Sequence, residues 1–562
     1  MIRNYRTTVL AAAFSLGLAA CGRGADGAGA SNPEAVPETD RYGGTAVVSI
    51  HTDPRSLNTL ATSDLEAAEL QNSLLSLPLV RYNAQLEAVP LLAERWDTVR
   101  VAPDTLELTF HLRRDVKWHD GVPTTAEDVR FTYHRMRDSR VAFGRKGFLA
   151  LWSPEVEVVD SFTIRFRLRP HTEFLDFWTF DVILPAHILS NVPPEQLRNH
   201  PFGTRPIGNG PFRFVRYIPH QEWVFEANPD FPKALGGRPY LDRLVVRVLP
   251  DENTRFIELM QGSLDLGGIR PPQADEVRAA GGLRLTTHKP TTYGFVVWNT
   301  RLPMFNDARV RRALGMAIDR EGIVQGLLGG FGEVGRFTAT PRHWQYDSSD
   351  QETLLPFNLE AAGLLLDEAG WRFRDADGVR KNEQGRPLRF TLKAPHAVQT
   401  YTDILPAVQA QLRRVGADVQ AQFVELNTMW GQVEGRIGAD GERQRDFEAM
   451  LFQWSEYIRL DNTYILHSRS RNEAFASASY ANPRADGFMD TLAVTLDREA
   501  ARPLWREYQR FMVQESPFTV LFYPYNILAV RSRIQGVEFD AGGGVLASAR
   551  RWWIVPGARG RR

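Results

Sequence analysis

Between Leu106 and Leu112 the chain alternates: Leu106, Leu108, Phe110 and Leu112 are apolar, while Glu107, Thr109, His111 and then Arg113 are polar. That period of two predicts a strand with one buried and one wet face. His119-Asp120-Gly121 supplies a turn after it, because glycine accepts positive φ and aspartate bonds the backbone just beyond itself. A helix is predicted from Thr125, which is placed to cap it. Glu127 and Asp128 fall in its positive first turn, and Val129, Tyr133 and Met136 follow at helical spacing.

The same reading gives a chain in which strands and helices mix throughout. Thr45 to Ile50 is a β-branched strand, Ser63 to Leu79 a helix, and Val80-Arg81-Tyr82 a short extended segment. Glu155 to Val159 and Thr163 to Leu168 alternate as a hairpin about Asp160-Ser161. Leu244, Val246 and Val248 mark a strand. Pro250 to Thr254 caps a helix through Leu259 that Gly262 ends. Val310, Ala313, Leu314 and Ala317 make one helical face, with Arg309, Arg311 and Arg312 expected to stay wet. Helices are expected over Asn358 to Trp371, Ile404 to Val415 and Arg502 to Glu515. Strands are expected at Val419 to Phe423, at the buried run Met450-Leu451-Phe452, and at Val520 to Tyr523.

Of the 562 residues 43% are hydrophobic, enough for two or three cores. Lys plus Arg and Asp plus Glu both number 67, so no net field draws the chain to nucleic acid. The basic end, Arg550, Arg551, Arg559, Arg561 and Arg562, reads as a solvated terminus. The single cysteine, Cys21, has no partner for an internal disulfide. Arg3 and Arg6 precede the apolar run Val9 to Ala20, the order of an export signal. That run is too short to span a bilayer, which takes about 20 residues. Residues 22–42 lack large apolar side chains before Tyr42 and read as a flexible tether.

Three blocks carry a resemblance. The first runs from Leu91 to Met136 and holds L-A-E-R-W, F-H-L-R-R-D-V-K-W-H-D-G-V-P and T-A-E-D-V. The second is Pro206-Ile207-Gly208-Asn209-Gly210-Pro211-Phe212. The third joins Phe295 to Thr300 with Asp307-Ala308-Arg309-Val310-Arg311-Arg312-Ala313-Leu314 and Ala317-Ile318-Asp319-Arg320. Together they resemble the family 5 solute-binding proteins, the extracytoplasmic peptide receptors of ABC importers.

The resemblance implies a class II, two-lobed α/β periplasmic-binding-protein fold with two crossover segments at its hinge. Lobe I would be split over residues 43–80, 205–275 and 516–562. Residues 81–204 would form its accessory subdomain and 276–515 lobe II. The strand at Val520 to Tyr523 is expected to return the chain to lobe I. Leu18-Ala19-Ala20-Cys21 resembles a lipobox, which implies a signal peptide of residues 1–20 and a lipidated Cys21. The resemblance further implies a monomer, anchored by its lipid in the periplasm or on the outer face of the cell membrane. Its partners would be a permease's transmembrane subunits with their ATPases. Asn209 stands where the family usually has Thr, on a loop expected to tolerate it.

Catalytic patterns are missing. Gly330 to Gly335 matches G-x-G-x-x-G, but a helix precedes it and a Thr/Pro loop follows, so a glycine turn is the better reading. The 12 histidines show neither H-E-x-x-H nor pairing with cysteine, and G-x-S-x-G is absent. No cofactor or metal is expected, and no enzyme. His119 reads as a turn residue and His134 as a surface one.

The candidate site is the stretch Phe447 to Leu466. Trp454, Ser455, Glu456 and Tyr457 would emerge from the end of the buried strand into the cleft. Peptide-binding members carry there a Trp followed three residues later by an Asp that receives the ligand's α-ammonium. A buried amine needs an opposite charge, or its desolvation costs several kcal/mol. This chain is one residue shorter, so Glu456 either replaces that Asp or is a solvated loop acid. Asp53, Trp298 and Asn299 complete the candidate set. Two of Trp454, Trp298 and Trp430 are expected to line the pocket. The same fold binding a nickel chelate, an oligosaccharide or an opine-like molecule stays open. So does a ligand-sensing lipoprotein with no transporter.

Overall fold

The computed structural model describes residues 36–560 except 61–63, 84, 142, 144–145, 181–182, 397, 457 and 542–543. Cys21 and Tyr457 therefore lie outside the described residues.

The first four-stranded sheet has the order Thr45–Ile50, Arg243–Val248, Glu222–Ala227, Phe212–Ile218. Its first pair is parallel and the others antiparallel. A second, Ala93–Ala102, Thr105–Leu112, Thr163–Leu168, Trp152–Asp160, is antiparallel throughout. In it the predicted alternation holds: Leu106, Leu108, Phe110 and Leu112 are buried and the intervening positions are not. Against that face lies the helix Ala126–Arg137, whose Val129, Tyr133 and Met136 are fully buried. Its start is set by a capping box in which the Asp128 carboxylate accepts from the Thr125 amide at 2.8 Å. The other Asp128 oxygen accepts from the Ala186 amide at 2.8 Å, so one side chain both starts the helix and pins a neighbouring segment.

The largest sheet has six strands, ordered Gly332–Val334, Phe518–Pro524, Thr292–Trp298, Ala449–Ser455, Arg389–Pro395, Asp418–Val424. A three-stranded sheet, Leu266–Gly268, Asn526–Arg531, Leu283–His288, takes its outer strands from before the strand Thr292–Trp298 and its central strand from after Phe518–Pro524. The chain passes from the three-stranded to the six-stranded sheet between His288 and Thr292. It returns between Pro524 and Asn526. Val520 to Tyr523 thus still belongs to the six-stranded sheet, and the return comes one strand later than the sequence reading placed it. The Glu333 carboxylate joins both crossings: Lys289 Nζ lies 2.5 Å from one oxygen, and the Tyr525 hydroxyl donates to the same oxygen at 2.8 Å. Glu333 sits inside Gly330 to Gly335. That stretch continues into the Gly332–Val334 strand rather than a helix, so it has no nucleotide-binding geometry.

Several local expectations are corrected. The helix predicted to reach Leu79 runs Leu65–Leu70 and closes in a π-turn, Gln71–Leu75. The one predicted from Ile404 begins at Gln399. The last helix, Arg498–Glu515, starts four residues before Arg502 because Asp497 accepts from the Ala500 amide at 3.0 Å. Pro503 is carried inside it rather than in the first turn.

Arg311 does not stay wet. It is 2% exposed, and its guanidinium donates to the carbonyls of Phe305, Asn306, Glu515 and Ser516 at 2.5 to 3.2 Å. Asn209 is not on a tolerant loop either. It is buried, accepts from the Leu77 amide at 2.9 Å and donates to Thr124 Oγ1 at 3.2 Å. His119 is more than a turn residue: its ring takes the Gly208 amide and the Gly210 carbonyl at 3.1 Å each, and burial pushes its pKa down to about 4. The basic end is docked, with Arg551 paired to Glu538 and Arg559 donating to the Asp40 carbonyl.

Candidate functional site

Antiparallel pairing puts Thr292 opposite Ser455 and Trp298 opposite Ala449. The Trp454 to Glu456 corner therefore emerges beside the first crossing. Here the Glu456 amide donates to the Thr291 carbonyl at 2.8 Å, and the Thr291 hydroxyl donates to the Glu456 carbonyl at 2.6 Å. Glu456 itself is buried, at 5% exposure, so it is not a solvated loop acid. Its carboxylate accepts from the hydroxyls of Tyr293 and Tyr464, each at 2.9 Å. Burial pushes its pKa up to about 7, those hydrogen bonds oppose the shift, and the charge of Asp461 adds to it. Among the described residues no cation pairs with it. Trp454 is half-buried and donates from Nε1 to Tyr464 at 3.1 Å. Ser455 is exposed and shares a 2.9 Å hydrogen bond with Thr292.

The other candidates are not brought to that corner. Trp298 and Asn299 lie at the far end of the same strand pair, about 20 Å away at roughly 3.4 Å per residue. Trp298 is fully buried against Phe305 and Phe390 and donates to Thr519 Oγ1 at 3.0 Å. Asn299 is buried and spans the Phe447 carbonyl and the Arg301 amide. Trp430 packs on Phe452 at the edge of the same core. Asp53 uses both oxygens within its own sheet, accepting from Tyr217 at 2.7 Å, the His220 amide at 2.8 Å and Trp223 at 3.3 Å. Strand register separates Trp298 and Asn299 from Trp454, and their polar atoms, like those of Asp53, are spent on scaffold contacts.

The structure brings forward residues that the sequence did not single out. A cavity of about 270 Å³ is lined by Glu69, Asn72, Arg81, Tyr82, Ile458 and Asp540, among others. Ile458, two residues after the candidate corner, packs with Tyr82, Leu86 and Ala541. A second cavity, of about 460 Å³, opens at the end of the first strand and is lined by Ile50, His51, Tyr525, Asn526 and Phe539. Glu69 and Gly544 border both. Burial pushes the Glu69 pKa up to about 7, with Asp540 and Glu66 adding repulsion against the amides of Leu546 and Val545. Elsewhere, Glu173 holds Arg498 by two contacts of 3.0 and 2.9 Å, and the Thr172 amide donates to the Ala493 carbonyl at 3.0 Å. No sequence motif marks these contacts, because each joins segments hundreds of positions apart.

Among the described residues no helix is long and apolar enough to cross a membrane, and no group of three or more His, Cys, Asp or Glu is placed to hold a metal ion. Residues 87–475 match the model of the bacterial extracellular solute-binding proteins, family 5 middle. The chain belongs to that family. It is 29% identical over 521 residues to the oligopeptide-binding protein AppA of Bacillus subtilis, covering 92% of each chain. The solved structure of that AppA in complex with a nonapeptide matches with a TM-score of 0.74 at 28% identity, covering 92% of this chain and 99% of the other. Heme-binding protein A of Haemophilus influenzae is 29% identical over 479 residues, covering 80% of this chain and 81% of that protein. With this family comes the two-lobed α/β fold, in a member of a group of extracellular binding proteins rather than enzymes.

Proposed function

We propose that this chain captures peptides in the cleft between its lobes and delivers them to a membrane permease driven by ATPase subunits, without altering them chemically. One observation carries the reading. Glu456 is a buried carboxylate at the hinge-side end of the largest sheet, held by two tyrosines and lacking a cationic partner among the described residues. A peptide's α-ammonium would supply the missing charge. Buried carboxylates in this state bind a cation gladly, because the desolvation cost is already borne by the fold.

On this reading residues 43–80 and 205–275 with the C-terminal segment form lobe I, residues 81–204 its accessory subdomain and 276–515, extended to Pro524, lobe II. Lobe closure would bury the peptide and use its backbone much as an added strand does. Residues 1–20 would be the export signal, Cys21 the lipid-bearing residue and residues 22–42 the tether, so that a monomer is held outside the membrane.

The test is a titration of the chain from residue 22 onward, with synthetic peptides of two to nine residues, read by tryptophan fluorescence. Micromolar binding by free-amine peptides that weakens about 10- to 100-fold on N-acetylation and on Glu456→Gln supports the reading. Binding of heme or a nickel chelate, with no response to any peptide, overturns it and makes a non-peptide ligand the conclusion.

A further inference from the structure

A third cavity, of about 270 Å³, lies between the helix Arg498–Glu515 and the segment 336–353. It is lined by Arg336, Gln345, Asp347, Asp350, Arg502 and Arg506, among others, and shares no residue with the two cavities described above. One water claims about 30 Å³ of liquid, so this is room for a small molecule rather than for a single bound water.

Its walls are fixed by charge. Arg506 donates to Asp347 at 3.0 Å and Arg510 to Asp350 at 2.8 Å. Arg336 spans the carbonyls of Ser348 and Asp350 at 2.8 Å each, and Gln509 donates to the Gln345 carbonyl at 3.0 Å. Among the described residues Arg502 Nε and Arg506 Nη1 make no hydrogen bond. Counting Arg510, four guanidinium groups meet two carboxylates. The other acids that touch them, Glu352 and Glu499, are exposed and screened by solvent, so the inside keeps a surplus of positive charge.

One group on the wall is unsatisfied. Gln345 is 6% exposed, its side-chain amide makes no hydrogen bond among the described residues, and its Oε1 is shielded from solvent. A buried acceptor in that state is costly, and only a donor relieves it. The arginines can do nothing but donate. An occupant must therefore offer oxygens to the guanidinium groups and an O–H to Gln345.

We propose that this cavity binds inorganic phosphate. At pH 8 phosphate is a dianion that still carries one O–H, so it can give oxygens to Arg502 and Arg506 and its proton to Gln345 Oε1. Sulfate has the same shape and charge but no proton to give. A phosphate monoester, whose second pKa is about 6, has also lost its proton at pH 8. The site stands apart from Glu456 and does not rest on the peptide reading.

The experiment uses the chain from residue 22 onward, which contains every described residue, at pH 8 and constant ionic strength. Phosphate, sulfate and glycerol 3-phosphate are titrated by calorimetry, with thermal unfolding in their absence as the control for folding. Phosphate is expected to bind about 10-fold or more tightly than either of the others. Gln345→Met should bring that preference close to unity by weakening phosphate alone, whereas Arg506→Gln should weaken phosphate and sulfate together by about 10-fold. The native chain's ranking of the three anions decides the matter even if Arg506→Gln, which breaks the Asp347 pair, does not fold. No binding of phosphate up to about 10 mM leaves water as the occupant and overturns the site. Sulfate or glycerol 3-phosphate binding as tightly as phosphate overturns it too, as does a preference that survives Gln345→Met.

Discussion

Arg498 grips Glu173 by both carboxylate oxygens although 325 positions separate them, and Tyr82 adds a hydroxyl to the same carboxylate at 3.3 Å. Glu173 accepts a left-handed φ of 52° to reach it. The contact joins the segment after the strand Thr163–Leu168 to the start of the helix Arg498–Glu515.

If that contact helps hold the lobes shut, Glu173→Gln or Arg498→Gln will open the unliganded chain. Small-angle scattering should report a larger radius of gyration, and ligand affinity should fall about 3- to 10-fold, the worth of a partly exposed two-point pair. Unchanged scattering with unchanged affinity would reduce the pair to decoration.

Stability should fall as pH rises from about 4.5 to about 7. Burial raises the Glu456 and Glu69 pKa values from an ordinary 4.5 to about 7, so across that window the folded chain holds protons that the unfolded chain has released. The effect is on the order of 1 to 3 kcal/mol for each group. Urea midpoints measured between pH 5 and pH 8 should show the slope. Glu456→Gln should flatten it in part and raise stability at pH 8, and adding Glu69→Gln should flatten it further.

Ligand binding runs the other way. An α-ammonium pairs with ionised Glu456, so peptide affinity should rise between pH 5.5 and pH 8 on the native chain. On Glu456→Gln it should change much less. Calorimetry in buffers of differing ionisation heat should also detect a proton released on binding.

Arg311→Met should lose about 3 kcal/mol or more, because it strips donors from four carbonyls, two buried and two partly buried, rather than breaking a surface pair. Gly208→Ala should be worse still. A Cβ there would stand 1.8 Å from the Leu75 carbonyl oxygen, and that neighbour is backbone. Denaturant unfolding of each variant checks both.

What could be seen in the sequence was whatever depends on near neighbours. The alternation through Leu106 to Leu112, the Thr125 cap and the face of Val310, Ala313, Leu314 and Ala317 are local patterns, and the chain folds as they indicate. Arg311 sits on that same helix and was misjudged because two of the carbonyls that claim it lie 204 and 205 positions away. Asp53, Trp298 and Asn299 make scaffold contacts for a related reason. Whether a polar or aromatic side chain faces scaffold or cleft is fixed by strand register, as in Thr292 against Ser455. The burial of Glu456 follows from its corner succeeding a buried strand, whereas its two tyrosine partners lie 163 and 8 positions away and the more distant one has no local signal.

The carboxylate of Glu333 ties Lys289 on one crossing to Tyr525 on the other, so the two strips of backbone are bound side by side. Two strips fastened in this way bend readily about the line through both and resist torsion along their length. On the lobe assignment proposed above, the lobes would thereby be limited to something close to a single swing, like a door on a pair of pins. What such a door admits is set by the angle of its swing more than by the breadth of the opening behind it.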